Sequence, residues 1–445
     1  MEIKVKKDFV YGVSTSAFQI EGDDGAQGRG LSVWDTFCGR KDVIFENQTG
    51  DKGVDHYNRW QEDINLMGEM GANAYRFSTS WSRILPDGIG KINQKGVDFY
   101  DKLIDEMLQK GIQPFLTLYH WDLPQALHDK GGLQNPDFSD WFAEYADLIV
   151  KKYGDRVSDF TTFNEPINAI NSAYFKGVFA PGLRLNEEQA MHVTHNMLLA
   201  HGKGSRILHN VKGAQVGIAM STFEQYPLKN TPENIEAARK AFFSREIPTE
   251  SLDVYLDPIY FGKYPDRIYE KFPVFATQKY MDDMKTICGV TDIIGYNNYS
   301  GYAVDEKGEL VKLSPNAVYT PMGNVIDEKG LYWGIKFLQE RYKKPVYILE
   351  NGRAVDDFVS LDGKVHDPAR IDCIARHLKM TKKLIDEGAD IRGYFVWSFM
   401  DNFEWLFGYS KRFGLVYVDF ETMQRIPKDS YYWYADYIKN NLCNR

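Results

Sequence analysis

The sequence is poor in cysteine. Its 445 residues include four, Cys38, Cys288, Cys373 and Cys443. They are scattered with no CxxC spacing, so neither a disulfide scaffold nor a thiolate metal framework is expected, and reduced thiols in a cytosol are the simplest account. No apolar run approaches the roughly 18 residues of a membrane-spanning helix. The start, MEIKVKKDFVYGVS, is basic but lacks the apolar stretch that follows in a secretory leader. A cytoplasmic location is therefore the expectation. No GxGxxG follows a strand-like run and no GxxxxGK[ST] occurs, so nothing asks for a nucleotide fold. His120, His128, His192, His195, His201 and His377 form no HExxH or comparable cluster, so no metal site and no cofactor are expected. Basic charge is not in excess: the formal net charge is -9 and the pI about 5.6, which argues against nucleic acid or an anionic membrane as partner. Internal repeats and Pro/Ser-rich linkers are also missing. One domain over residues 1–445 is expected, and the sequence is compatible with a homo-oligomer without fixing one.

Apolar residues make up 43% of the chain and aromatic ones 14%. A large core needs such side chains, and so does a site that buries the apolar face of a sugar ring; composition does not separate the two. Short apolar runs recur at Phe9–Gly12, Ala74–Phe77, Pro114–Leu118, Phe160–Phe163, Val216–Ala219, Ile293–Tyr296, Val346–Leu349 and Ile391–Phe395. They lack polar alternation, as parallel strands buried on both faces do. Amphipathic helical stretches lie between them. Asn93–Lys110 sets Val97, Tyr100, Leu103, Ile104, Met107 and Leu108 on one face; Asp140–Lys151 and Ile371–Glu387 read likewise, with Gly388 as a stop. Eight such units predict an α/β fold, a single-domain (β/α)8 TIM barrel with extended βα loops; a doubly wound sheet is the alternative. Gly301–Leu331 has little periodicity and reads as a long loop.

Polar residues follow these runs. His120 and Trp121 come after PFLTLY, Asn164 and Glu165 after DFTTF, Asn297 and Tyr299 after DIIGY, Glu350 and Asn351 after VYIL, and Trp397 after YFV, with Glu404 and Trp405 shortly beyond. Arg76 lies near the end of the second run, and Gln19 and Glu21 follow the first. In a parallel barrel these positions converge on one rim. Two carboxyls there suit glycosidic bond cleavage, in which one protonates the leaving oxygen and, in a retaining mechanism, the other attacks the anomeric carbon. Glu165 and Glu350 are the natural pair. A lone glutamate at a strand end is more often a surface group or a helix cap; two on one rim among aromatic and amide neighbours are harder to explain that way. Arg76 is the candidate to keep Glu350 ionised, against a barrel-end ion pair of purely structural role. Tyr299 can donate to the same carboxylate or merely pack. Gln19, His120, Asn164 and Glu404 suit sugar hydroxyls, and Trp397 and Trp405 suit the ring face, or the core.

The chain resembles glycoside hydrolase family 1, the β-glucosidase family. The motifs run in order: FVYGVSTSAFQIEG at 9–22, GLSVWDTF at 30–37, YRFSTSWSRILPDG at 75–88, LTLYHWDLPQAL at 116–127, TTFNEP at 161–166, GYNNYS at 295–300, YILENG at 347–352, YFVWSFMDNFEW at 394–405, FGLVYVDF at 413–420 and RIPKDSYYWY at 425–434. The resemblance implies Glu165 as acid/base and Glu350 as nucleophile. It places Gln19, His120, Asn164 and Glu404 on the sugar, Trp397 under its ring, Trp405 near its hydroxyls and Trp121 beside His120. It sets Asn297 and Tyr299 near the nucleophile. The implied partner is a β-glycoside or oligosaccharide.

Within that family, Glu404-Trp405 is the pattern of members acting on neutral sugars, since a carboxylate there repels a phosphate dianion; a 6-phospho-β-glucosidase is the alternative. Thioglucosidases have glutamine where this chain has Glu165. A non-catalytic carbohydrate-binding barrel would be expected to lack the glutamates, and a transglycosylase would use the same pair. Leu349, Asn298, Ser221, Asn324 and Val254 depart from the family pattern. They predict a less aromatic outer pocket and a specialised leaving group, such as that of a plant glycoside or an unusual disaccharide.

Overall fold

A computed structural model of the chain describes residues 9–23 and 25–442. Cys443 and the first eight positions of the N-terminal segment lie outside the described residues. Eight parallel strands close into a barrel in chain order: β1 (Val10–Ser14), β2 (Ala74–Ser78), β3 (Gln113–Tyr119), β4 (Asp159–Asn164), β5 (Gln215–Met220), β6 (Ile293–Asn297), β7 (Val346–Asn351) and β8 (Ile391–Trp397), with β8 pairing back onto β1. The barrel replaces the doubly wound alternative. Every expected strand is present. Most run one or two residues further toward their C-terminal ends, through the polar positions that composition assigns to loops.

The two faces of each strand are buried differently. Val10, Ala74, Phe115, Ala219, Ile293, Tyr347, Leu349 and Phe395 fill the barrel interior below the rim. Leu349, the residue before Glu350, belongs to this plug, so its apolar side chain is part of the floor. A larger apolar core lies between barrel and helices. Gly12 on β1 permits the fit: a Cβ there would sit 2.3 Å from a ring carbon of Phe395. The expected helices form at Gln94–Gln109, Phe138–Tyr153 and Pro368–Asp386. The first buries Val97, Tyr100, Leu103, Ile104 and Met107, whereas Leu108 in its last turn is 42% exposed. The long loop before β7 contains a short strand, Tyr302–Val304, that pairs in parallel with Gln225–Pro227.

Register sets the rim. Ser14 is level with Arg76 on one side and Trp397 on the other, and Asn297 is level with Glu350. Five strands thus bring their ends to one layer at the C-terminal mouth, where barrel sites form.

Beneath the loop after β8 lies a buried charge cluster. Lys428 Nζ donates to Asp401 Oδ1 (2.7 Å) and Asp357 Oδ2 (2.6 Å), and Arg370 pairs with Asp357 and Asp367, all with fully buried side chains. Paired charges of this kind are tolerated in an interior because each has several partners. The cluster fixes Asp401, and so the loop that carries Glu404 and Trp405.

Candidate active site

A cavity of about 450 Å³ opens at the C-terminal mouth of the barrel. His120, Trp121, Asn164, Glu165, Tyr299, Glu350, Trp397, Glu404 and Trp405 line it. Gln19, Arg76 and Asn297 do not; they lie behind the lining and brace it.

Glu350 ends β7 and is 3% exposed. Arg76 Nη1 donates to its Oε1, and the Tyr299 hydroxyl donates to Oε2 at 2.7 Å. Burial pushes the Tyr299 phenol well above the usual range, and the Glu350 charge adds to that, so Tyr299 remains a donor. The Glu350 carboxylate thus carries a guanidinium donor on one oxygen and a phenol donor on the other.

Glu165 is different. Its backbone turns through φ +46 at the end of β4, a left-handed conformation that non-glycine residues seldom adopt, and Pro166 then starts the short helix Pro166–Ile170. Its two oxygens accept from Asn297 Nδ2 (2.8 Å) and Asn168 Nδ2 (2.7 Å). No cation is paired with it among the described residues. Burial, and then the neighbouring Glu350, push its carboxyl up to about 7. One glutamate is poised as an acid and the other as an anion, the division that acid-assisted displacement requires.

The two sides are tied together. Asn164 Oδ1 accepts from Arg76 Nη2 (2.6 Å) and from Asn297 Nδ2 (3.1 Å), and Asn297 reaches Glu165. Asn164 Nδ2 donates to His120 Nε2 at 3.0 Å. Burial, with Arg76 nearby, holds His120 well below the usual histidine range. The ring is therefore neutral and its proton falls on Nδ1, a buried atom with no hydrogen-bond partner among the described residues. Gln19 has its amide occupied: Nε2 donates to Asn402 Oδ1 (3.0 Å) and the Phe403 carbonyl (2.8 Å), and Oε1 accepts from Ser16. It anchors the loop bearing Glu404. Burial, Glu350 and Glu165 push the Glu404 carboxyl up to about 8.

Aromatic rings floor the cavity. Trp397 and Trp405 stack with His120 at 5.8 and 6.2 Å, and Trp121 meets Trp405 at 4.7 Å. Trp121 Nε1 donates to the Asn164 carbonyl (2.9 Å). Gly352 makes the approach of β7 and β8 possible, since a Cβ there would sit 1.8 Å from the Trp397 carbonyl oxygen.

Asn168 is a site residue that the motif pattern did not single out. Its signal was its spacing, three residues after Glu165 on a helical turn, which brings the two side chains to one face. The outer wall also differs from expectation. Phe223, Tyr302 and Phe407 line it together with Met322 and Asn324, so it is more aromatic than the family departures predicted. Among the described residues no lysine or arginine lines the cavity, so none of them offers a phosphate a counter-charge there. Among the described residues, no group of His, Cys, Asp or Glu is placed to hold a metal ion, and no helix is long and apolar enough to cross a membrane.

A closed parallel barrel with one acidic and one cation-held glutamate at its mouth is the site of a two-carboxylate glycosidase. The chain belongs to glycosyl hydrolase family 1, whose model matches residues 1–443. It is 45% identical over 444 residues to a 1,4-beta-D-glucan glucohydrolase of Thermotoga neapolitana, covering 98% of this chain and 99% of that one. It is 44% identical to Beta-glucosidase A of Thermotoga maritima, covering 98% of each. The fold matches the solved family 1 b-glucosidase from Thermotoga maritima with a TM-score of 0.90 at 43% identity, over 99% of both chains. The same enzyme in complex with isofagomine lactam matches equally, with a TM-score of 0.90.

Proposed function

We propose that the protein is a retaining β-glucosidase that hydrolyses non-phosphorylated β-D-glucosides. The observation that carries this reading is the unequal pair. Glu165 holds a proton near neutral pH, and Glu350 is held as an anion by Arg76 and Tyr299. Glu350 attacks the anomeric carbon; the bond to the leaving oxygen breaks and that oxygen takes the Glu165 proton. A water then gives a proton to Glu165, and its oxygen displaces Glu350, so the sugar leaves with its original β configuration. Retention is supported by the connectivity. Asn297 is bonded to Glu165 and level with Glu350 on the adjacent strand, which suits the roughly 5–5.5 Å of a retaining pair rather than the wider gap that admits a second water. His120 Nδ1, Asn164 and Glu404 meet sugar hydroxyls, Trp397 and Trp405 meet the ring, and Gln19 acts from behind the lining. The relatives' names favour a β-glucoside as substrate, and the absence of a lining cation argues against the 6-phospho alternative.

The test is a proton NMR time course on an aryl β-glucoside. β-Glucose should appear first and convert slowly to α, and Glu350→Ala should be silent. α-Glucose as the first product would refute retention. Selective turnover of the 6-phosphoglucoside would refute the substrate assignment.

A further inference from the structure

The mechanism leaves one buried carboxyl in the cavity unused. Glu224 lines the same cavity as Glu165 and is 4% exposed. It comes from the segment after β5, on the wall outward of the acid/base. A chain of contacts shows the direction: Asn168 donates to Glu165 and also to Ser221 Oγ (3.1 Å), and Thr222, Phe223 and Glu224 follow. The leaving oxygen is the atom Glu165 protonates, so whatever is attached to that oxygen faces this wall.

The wall is built, not loose. Ser300 Oγ donates to Glu224 Oε2 at 2.7 Å, and Tyr302 N donates to the Glu224 carbonyl at 2.8 Å. Gln225–Pro227 then pairs in parallel with Tyr302–Val304. Phe223 stacks on Tyr302 at 4.4 Å with 16° between the rings, and the Arg245 guanidinium lies 5.0 Å from the Phe223 ring. Among the described residues no ion pair to Glu224 forms. Burial, with Glu165 adding to it, pushes its carboxyl up to about 8. At neutral pH it is a neutral acid, able both to donate and to accept.

We propose that Glu224 is a specificity-determining residue that hydrogen-bonds a hydroxyl of a leaving sugar and so selects saccharide leaving groups over apolar ones. This rests on the β-glucosidase reading of the site. A sugar has hydroxyl edges and apolar faces; Glu224, Ser221 and Asn324 suit the edges, and the Phe223–Tyr302 pair suits a face. An apolar leaving group would cover Glu224 while adding no partner to the one that Ser300 gives it, and a site built to bond a hydroxyl discriminates strongly against a ligand that lacks it.

The test compares kcat/KM for cellobiose and for 4-nitrophenyl β-glucoside in the wild type, Glu224→Gln and Glu224→Leu. Glu224→Leu should lose roughly 10- to 100-fold on cellobiose and less than about 3-fold on the aryl substrate. Glu224→Gln, which keeps a donor and an acceptor, should retain most of the cellobiose rate. A second arm needs no variant: among cellobiose analogues deoxygenated singly on the leaving sugar, one position should cost the wild type at least about 10-fold. Equal losses on both substrates, an unchanged substrate ratio in Glu224→Leu, or indifference to every deoxygenation would overturn the assignment. A wild type that turns over neither substrate would instead overturn the β-glucosidase reading itself.

Discussion

Replacing Glu350 by glutamine should lower the pKa of Glu165. Burial is the main reason that carboxyl stands at about 7, and the Glu350 charge is the next. Two unit charges about 5.5 Å apart repel by roughly 3 kcal/mol at an effective dielectric near 20, or about two pKa units. The substitution removes that repulsion and leaves the burial in place. It also frees Arg76, whose charge already favours the ionised form of Glu165. The expected result is a fall of about one to two units, to roughly 5–6. The assay is a carbon-13 NMR titration of labelled glutamate side chains in Glu350→Gln and in wild type, with Glu350→Gln/Glu165→Gln to assign the signal. An unmoved or raised Glu165 would refute the reasoning, because it would mean that burial alone sets the value. The same arithmetic bears on turnover. When Glu350 carries a glycosyl group it is uncharged, so Glu165 becomes easier to ionise at the step where it must accept a proton from water.

Three other perturbations follow from the same geometry. Asn168→Ala removes a donor that favours ionised Glu165, so the alkaline limb of the kcat/KM profile should move up by a few tenths to one unit; a downward shift would contradict it. Arg76→Met strips the partner from buried Glu350 and should cost about 3–5 kcal/mol in a urea melt, with kcat/KM down at least about 100-fold. Glu404 has a folded pKa of about 8 against an ordinary 4.5. Its contribution is fully present below the unfolded value and is lost as pH rises through 8. Glu404→Gln should therefore gain on wild type in thermal melts between pH 5 and pH 8, by an order of 1–3 kcal/mol, while losing activity.

Much of the barrel was legible because its strands are apolar on both faces and recur between amphipathic helices. Their last residues were not, and the reason is physical. Asn164, Asn297, Glu350 and Asn351 continue the ladder while carrying the polar groups of the mouth, and a composition rule ends a strand where such residues begin. That Glu165 and Glu350 share one mouth was legible from position, as was the place of Arg76 and Tyr299 beside Glu350. Asn168 and Glu224 were not. Asn168 matters through helical spacing to Glu165, and Glu224 sits on a segment with no periodicity, made significant by its pairing with Tyr302–Val304. The outer wall misread for the same reason: Phe223, Tyr302 and Phe407 come from separate loops, and only the fold brings them together. Gln19, expected on the sugar by motif, lies behind the lining with its amide N–H groups on Asn402 and Phe403.

The cluster under the last loop has a consequence for biosynthesis. Lys428 holds Asp401 and Asp357 from a position near the C-terminus, and β8 closes the barrel against β1. During synthesis Asp357 and Asp401 are therefore made before the lysine that joins them. The cation that settles the loop is made only after all eight strands of the barrel, so the mouth is not assembled in stages. Loss of Lys428 and the residues after it would not trim the enzyme but leave the loop that carries Glu404 and Trp405 without a keystone.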